Sequence, residues 1–295
     1  MKKTNFFVGI LFVMMIFFSL PLGIHADMGP KPSVRVTLKN LPDGEAYVTL
    51  LSETISTGPH SAFDGEAFPS PEEYEEENYY ETPYDVWLAF TTYSDADGYY
   101  FLQQTERHVE EEGEYIWGYY PPHKFKVLLY FPDEGRFVVS EAAERYAFHS
   151  YFTCRISGNS ISIRTSYDYK AEVIGLTMRI AGTLFAELLL ALLFFAKERK
   201  LLLPIAIFNV VTQILLNLWL AKINYQNGGL AFTLQYIGLE IAVTVIEAAL
   251  LLFFAPRLAR SAKCIRLRVI LYAITANLAS LLFGLWISDF FPNWF

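Results

Sequence analysis

The second half of the chain contains four long apolar segments separated by short polar connections. They cover residues 171–196, 201–221, 230–255 and 267–290. At about 1.5 Å per residue, each is long enough to cross a hydrocarbon core of about 30 Å. We therefore predict an all-α bundle of four transmembrane helices, with the lipid bilayer as its first partner.

The first half instead alternates apolar and polar positions over short runs. Residues 33–38 and 46–51 flank a turn sequence and predict a β-hairpin. Further strands are predicted at residues 86–92, 98–103, 125–130, 136–139, 146–156 and 160–166. Short strands with regular turns are typical of an immunoglobulin-like sandwich, so residues 27–170 are predicted to be an all-β sandwich domain.

The N-terminus has the order of a secretory signal. A basic opening precedes an apolar run over residues 6–24, and the small residue Ala26 provides a site for cleavage. We predict a signal peptide over residues 1–26, either cleaved or retained as an anchor. Both outcomes place the following β domain outside the cell.

Basic residues indicate which helix connections face the cytoplasm. Lys197, Arg199 and Lys200 lie between the first two segments, and five basic residues lie between Arg257 and Arg268. By the positive-inside rule both connections are cytoplasmic. The predicted location is the plasma membrane, with the β domain and the tail of residues 291–295 extracytoplasmic.

Polar side chains recur at matched depths in the apolar segments. An inner layer contains Glu187, Asn209, Glu247 and Asn277. An outer layer contains Arg179, Gln213, Asn217 and Glu240. Spacings of four and seven residues place each set along one helix face, which we expect to turn into the bundle.

Two interpretations of these layers remain open. A charge at the bilayer centre costs about 2.5–3.5 kcal/mol, which makes Glu187 and Glu247 candidates for a cation or proton site. Polar side chains also join helices to one another without any further function. Oxygen ligands favour a hard cation over zinc. Arg179 and Glu240 are the expected ion pair of the outer layer.

Acidic residues are concentrated in the first half. The formal net charge is −8, and no Lys or Arg lies between Lys39 and Arg107. Nucleic acid is therefore excluded as a partner, because phosphate binding needs a basic patch. Cys154 and Cys264 lie on opposite sides of the membrane in this topology and are not expected to pair.

An acidic, tyrosine-rich insertion covers residues 54–83. Its densest part is Glu72, Glu73, Tyr74, Glu75, Glu76 and Glu77. Blocks of like charge stay solvated, which favours a mobile loop. The alternative is a docking loop for another membrane protein, a basic or cell-wall ligand, or a divalent cation.

Catalytic motifs are missing from the sequence. It contains no His-Glu-x-x-His, no Gly-x-Ser-x-Gly and no phosphate-binding loop. The run from Asp95 to Gly98 does not fit an EF-hand and predicts a turn. We therefore predict no enzyme activity, no cofactor and no metal in a catalytic site.

Three stretches resemble an uncharacterised family of Gram-positive bacterial multi-pass membrane proteins with an extracytoplasmic N-terminal domain. They are residues 27–33, residues 146–152 and the polar pattern of the membrane segments. The resemblance implies that the β domain and the helices occur together, and it implies no substrate. We expect a binding or sensing module at the cell surface. The alternatives are a cation- or proton-conducting bundle and an accessory subunit of a transporter.

Overall fold

The computed structural model describes residues 30–65, 67–77, 82–109, 113–259 and 264–290. These residues form two compact units, one over Lys31–Tyr167 and one containing the helices that follow Tyr167. The predicted signal peptide and the tail of residues 291–295 lie outside the described residues.

The N-terminal unit is rich in β-structure. Its strands are β1 Ser33–Lys39, β2 Ala46–Ser52, β3 Tyr100–Phe101, β4 Arg107–Val109, β5 Glu114–Trp117, β6 Lys124–Phe131, β7 Arg136–Val139, β8 Ala143–Glu144, β9 His149–Ser157 and β10 Ser160–Thr165. The strands predicted at residues 33–38 and 46–51 are present as β1 and β2, but the prediction that they form a hairpin is wrong, because they do not pair with each other. The short strands β4, β5 and β8 were not predicted, because a run of two to four residues carries too little alternation to detect.

The strands form two sheets that are mostly antiparallel. The first has the order β10-β9-β1-β5, and the second has the order β3-β2-β6-β7, with β4 also paired to β2 and β8 to β6. The pairing of β1 with β9 is parallel, with Ser33 opposite His149. β1 and β2 are consecutive along the chain but belong to different sheets.

One hydrophobic core is shared by both sheets. Val34, Val36 and Leu38 alternate along β1 and are fully buried. They belong to the same cluster as Leu50 of β2 and Val127 of β6. Burial of apolar surface between the sheets is therefore the main stabilising contribution in this unit.

The other face of the second sheet is covered by a helix. The prediction of a strand at residues 86–92 is wrong, because Tyr84–Thr92 forms an α-helix, α2. Val86, Trp87 and Phe90 are its buried residues, a spacing that fits the 3.6-residue helical period. They pack against Leu51 and other side chains of the second sheet. Aromatic and β-branched composition favoured a strand, whereas the burial pattern is helical.

The acidic insertion contains a short helix, α1, over Pro71–Glu77. Ser70 and Glu73 cap it reciprocally, since the Glu73 amide donates to Ser70 Oγ at 3.2 Å and the Ser70 amide to Glu73 Oε2 at 2.8 Å. Tyr74 packs beside Trp87 at a ring distance of 4.9 Å. The expectation of a loop without secondary structure is thus wrong for this part of the insertion.

The C-terminal unit contains three helices long and apolar enough to cross a membrane. They are α3 Tyr169–Phe195, α4 Arg199–Leu258 and α5 Ile265–Phe290. The Asp168 side chain caps α3 by accepting from the amides of Lys170 and Ala171. The segments predicted at residues 201–221 and 230–255 both lie within α4.

α4 folds back on itself at Gly228. This residue has φ 79° and ψ 177°, outside the helical region. Trp219 Nε1 donates to Gln235 Oε1 at 3.1 Å, and the rings of Phe208 and Phe254 lie 5.8 Å apart. A straight helix would separate the last pair by about 69 Å. The two halves of α4 therefore lie side by side in antiparallel directions.

Candidate functional site

The eight residues of the predicted polar layers are all buried in the helical unit. Each is at most 2% exposed. Arg179 and Glu187 lie on α3, Asn277 lies on α5, and the other five lie on α4. The fold-back of α4 brings Thr212 of its first half against Glu247 of its second half. The polar faces of all three helices therefore meet inside the unit.

Glu247 is held by neutral donors on both of its oxygens. The Thr212 hydroxyl lies 2.5 Å from Oε1, and Asn277 Nδ2 donates to Oε2 at 2.9 Å. Asn277 Nδ2 also donates to the Ala273 carbonyl at 2.9 Å. Glu247 is thus fixed between α4 and α5 as a hydrogen-bond acceptor.

Gln213 connects the inner and outer layers. Its amide nitrogen donates to Glu187 Oε1 at 2.8 Å and to Ser280 Oγ at 3.2 Å. Its amide oxygen accepts from Thr183 Oγ1 at 3.3 Å and from Asn217 Nδ2 at 3.1 Å. Both hydrogens and both lone pairs of this amide are used, so the position of Gln213 is well determined.

A second chain of hydrogen bonds joins Asn209 to Glu187. Asn209 Nδ2 donates to the Tyr272 hydroxyl at 3.0 Å, and that hydroxyl donates to the Glu187 carbonyl at 3.4 Å. The Thr212 hydroxyl, which contacts Glu247, also lies 3.2 Å from the Asn209 carbonyl. The inner layer is therefore one connected network.

The polar atoms of the outer layer have fewer hydrogen-bond partners. Glu240 is near the Tyr236 hydroxyl, the Gln213 amide and the Ser280 hydroxyl, but neither of its oxygens accepts a hydrogen bond from the described residues. The expected Arg179–Glu240 pair is thus not joined by a hydrogen bond. The Arg179 guanidinium instead lies over the ring of Phe232, 5.0 Å from its centroid.

Six buried oxygens of the two layers lack a donor among the described residues. They are Glu187 Oε2, Asn209 Oδ1, Asn217 Oδ1, Asn277 Oδ1 and both oxygens of Glu240. A buried polar group without a partner costs about 1–3 kcal/mol. So many open acceptors in one place call for a ligand with positive charge or for water.

The charges of these buried groups do not balance. The two layers contain three carboxylates and one guanidinium. Along its own helix, the basic side chain nearest to Glu187 is Arg179, eight residues and about 12 Å away. Glu247 is ten residues from Arg257. No basic residue is therefore available on these helices at the level of the inner layer.

Five further residues of the network were missed from the sequence. Thr183, Thr212, Tyr272 and Ser280 take part in the hydrogen bonds above. The fifth, Tyr236, donates its hydroxyl to the Ser280 carbonyl at 3.3 Å. Single hydroxyls are common in apolar helices and carry no signal of their own. The one available clue is spacing, since Thr212 follows Asn209 by three residues and so shares its helix face.

The run from Asp95 to Gly98 is a turn, as predicted, and its two carboxylates bind the ammonium of Lys126. Lys126 Nζ donates to Asp95 Oδ2 at 2.8 Å and to Asp97 Oδ2 at 2.6 Å. Burial disfavours both charges, but the bond to Lys126 lowers the pKa of Asp95. The bonds to Asp95 and Asp97 raise the pKa of Lys126. Both carboxylates of the turn are thus engaged by the Lys126 ammonium.

Two adjacent clefts lie on the β-rich unit. One of ≈ 350 Å³ is lined by Phe63, Ala67, Pro69, Tyr74, Trp87, Gln103 and Gln104. The other, of ≈ 290 Å³, is lined by His60, Gln104, Thr105, Arg107, Tyr115, Ile116, Trp117, Gly118 and Tyr119. Gln104 belongs to both and has φ 64°, a conformation that is rare outside glycine. Trp117, Gly118 and Tyr119 thus form one wall of the second cleft.

The acidic side chains of α1 lie beside the first cleft. Glu72, Glu73, Glu75 and Glu76 are exposed, whereas Tyr74 is half-buried and lines the cleft. The side chain of Glu77 lies outside the described residues. Among the described residues no group of three or more His, Cys, Asp or Glu side chains is arranged to hold a metal ion.

Comparison with protein-family models, with curated proteins and with solved structures finds no match to this chain. The resemblance to a Gram-positive membrane protein family remains an expectation from the sequence. Any function therefore has to be argued from the residues themselves.

Proposed function

We propose that the chain is a multi-pass membrane protein whose helical unit binds a cation or protons in the inner layer. The observation that carries this proposal is the unbalanced charge of that layer. Glu187 and Glu247 are at most 1% exposed, and no basic residue lies at their level on the same helices. Two buried carboxylates without compensating charge are strongly unfavourable, and a proton or a cation removes the penalty.

The same proposal takes the helical unit as a four-helix transmembrane bundle. α3, the two halves of α4 and α5 supply the four segments. The connection from Lys197 to Lys200 and the one that contains Arg257 and Arg268 are basic, which supports a cytoplasmic location for both. The β-rich unit and the fold-back at Gly228 then belong to the outside. Open oxygens in both layers support a path along the bundle.

The test is cation and proton flux in proteoliposomes that contain the full chain. Glu187→Gln and Glu247→Gln keep the shape of each side chain and remove its charge. We expect each to lower the flux at least tenfold. Glu172→Gln, in the first turn of α3, is the matched control and should conduct like the wild type. Unchanged flux in both inner-layer variants would refute the proposal.

A second candidate function is a binding or sensing module at the cell surface, formed by the β-rich unit. The observation that favours it is the pair of clefts that meet at Gln104, a residue with positive φ, since strained backbone is frequent at functional sites. In this proposal the two sheets form an immunoglobulin-like sandwich. The acidic helix beside the first cleft suits a basic or cell-wall ligand, or another membrane protein.

Affinity purification of the full chain in mild detergent tests the second candidate. Gln104→Ala removes the side chain shared by the two clefts, and Gln235→Ala changes an amide of the helical unit as a control. A binding module should lose its partner only in the Gln104 variant. A partner that is lost in neither variant, and that is itself a transporter, would instead indicate an accessory subunit.

A further inference from the structure

The amides of the inner layer present their oxygens to the interior. Asn209 Nδ2 is engaged with Tyr272, and Asn277 Nδ2 with Glu247 Oε2 and the Ala273 carbonyl. Turning the Asn277 amide over would place its oxygen against a carboxylate and a carbonyl, which is repulsive. The nitrogens therefore face these acceptors, and both Oδ1 atoms remain open.

The two carboxylates of the layer differ in how many of their oxygens are hydrogen-bonded. Both oxygens of Glu247 already face donors, Thr212 and Asn277. Glu187 has one oxygen bonded to Gln213 and one open. Glu187 is thus the carboxylate with an oxygen available to a ligand, whereas both oxygens of Glu247 are engaged by Thr212 and Asn277.

A proton alone does not satisfy these atoms. A proton on Glu187 Oε2 supplies one donor, which reaches one of the two open amide oxygens and leaves the other without a partner. A metal cation bonds several oxygens at once. We infer that the inner layer binds one hard monovalent cation through Glu187, Asn209 and Asn277; this inference rests on the function proposed for that layer.

The ligand atoms determine the class of cation. All three open groups are oxygens, which suit hard ions, and soft metals would need sulfur or imidazole ligands. Divalent ions such as Ca²⁺ are usually bound by several carboxylates, which balance their charge. Here only one carboxylate is open, and the described residues contain no arrangement of three acidic, His or Cys side chains that could hold a metal ion. A sodium- or potassium-like ion fits this set.

A route to the site passes through the outer layer. Asn217 follows Asn209 by eight residues, and Glu240 precedes Glu247 by seven. The open oxygens of Asn217 and Glu240 therefore lie about 10–12 Å from their inner-layer counterparts. Gln213 lies between the two levels and contacts both. An ion entering from that end exchanges its hydration oxygens for protein oxygens in two steps.

The experiment measures ion binding to the purified full chain in lipid nanodiscs. Thermal unfolding is followed while sodium, potassium or magnesium chloride replaces choline chloride at constant ionic strength, and radiolabelled sodium gives the stoichiometry. We expect saturable stabilisation by sodium or potassium, one ion per chain, and none by magnesium beyond the choline control. Glu187→Gln and Asn209→Leu should each weaken binding at least tenfold.

Gln235→Leu is the matched control, because it removes an amide of the same unit that bonds to Trp219 outside the layers. It should bind like the wild type, and gel filtration checks that each variant is folded. Proton flux that needs Glu187 but does not respond to sodium or potassium would overturn the cation inference and leave the proposed function intact. Absence of any dependence on cations or protons would overturn both.

Discussion

Lys126 is the residue on which the charge balance of the Asp95–Gly98 turn depends. Its side chain and the side chain of Asp95 are 6% and 1% exposed. Removing one partner of a buried pair leaves the other charge uncompensated. Asp95 also accepts from the amides of Asp97 and Tyr99, so its own position does not depend on Lys126. Replacing Lys126 would therefore leave the Asp95 charge without a partner, whereas the bonds from the Asp97 and Tyr99 amides would remain.

We expect Lys126→Ala to destabilise the β-rich unit by about 3 kcal/mol, because Asp95 becomes a buried, unpaired charge. The measurement is urea unfolding of the detergent-solubilised full chain, followed by the circular dichroism of its β-structure. Lys124→Ala is the control, since Lys124 pairs with Glu144 at the surface, with side chains 45% and 57% exposed. Equal effects of the two variants would contradict the account.

The same pair predicts how stability depends on pH. Asp95, with its lowered pKa, stabilises the fold above its unfolded value, and this contribution is lost as pH falls through the folded value. Lys126, with its raised pKa, stabilises below its unfolded value and loses the contribution as pH rises through the folded one. The contribution of the pair is thus complete between pH 3.8 and pH 10.5, and it is lost progressively below and above that range. In Lys126→Ala, Asp95 is a buried carboxylate without its partner, so the loss of stability relative to the wild type should shrink as the pH falls and Asp95 takes up a proton.

At the scale of elements, Gly228 permits the fold-back of α4. Its φ of 79° and ψ of 177° are accessible mainly to glycine. Its neighbour Gly229 lies within the helix and has open space where a Cβ would be placed. The adjacent pair therefore separates the effect of backbone conformation from that of side-chain volume.

We expect Gly228→Ala to destabilise the helical unit by about 1–3 kcal/mol, because alanine is strained at this φ and ψ. Gly229→Ala should be neutral or stabilising by up to about 1 kcal/mol, since alanine is the better helix former. Thermal unfolding of both variants in the same detergent measures the difference. Similar transition temperatures would mean that Gly228 is not required for the turn.

Close packing between α4 and α5 depends on Gly284. A Cβ at this position would lie 2.0 Å from the Tyr236 hydroxyl, whereas one at Gly238 would meet nothing within 4 Å. Gly284→Ala should destabilise the unit by about 1–3 kcal/mol through overpacking, and Gly238→Ala should not. Adding Tyr236→Phe to Gly284→Ala should recover part of the loss. Thermal unfolding of the three single variants and this double variant is the measurement, and a double variant no more stable than Gly284→Ala would point to another cause.

At the scale of the whole molecule, the proposed function needs a defined orientation in the bilayer. Reporter fusions at Lys200 and at Gly228 measure it. We expect a fluorescent protein to be active at Lys200 and alkaline phosphatase at Gly228, because the first site is in a basic connection and the second is not. The opposite pattern would reverse the sidedness of both polar layers.

The two units follow different physical rules. In Lys31–Tyr167, apolar side chains are buried between sheets and the acidic residues of α1 are exposed. In the helices after Asp168, many apolar side chains are exposed, including Phe185, Leu193 and Leu203, while the polar layers are buried. That inversion is expected where lipid replaces water as the surrounding medium.

The sequence by itself predicted that the first half is rich in β-structure and that the second half is helical. It also identified the polar residues of the helices. Long apolar runs and period-two alternation are local patterns, so they can be detected without knowledge of the tertiary contacts. A common level for Glu187, Asn209, Glu247 and Asn277 was predicted by counting residues, because helical rise is constant.

Only the tertiary structure decided which oxygens remain open and which strand prediction was wrong. Residues 86–92 form a helix because Trp87 and Phe90 cover a sheet face that the local sequence does not reveal. Both oxygens of Glu247 are hydrogen-bonded, and only one oxygen of Glu187 is. The reason is that Thr212, Asn277 and Gln213 reach them from other segments. Hydrogen-bond partners separated by 26 to 35 residues are set by how helices pack, and no local pattern encodes that packing.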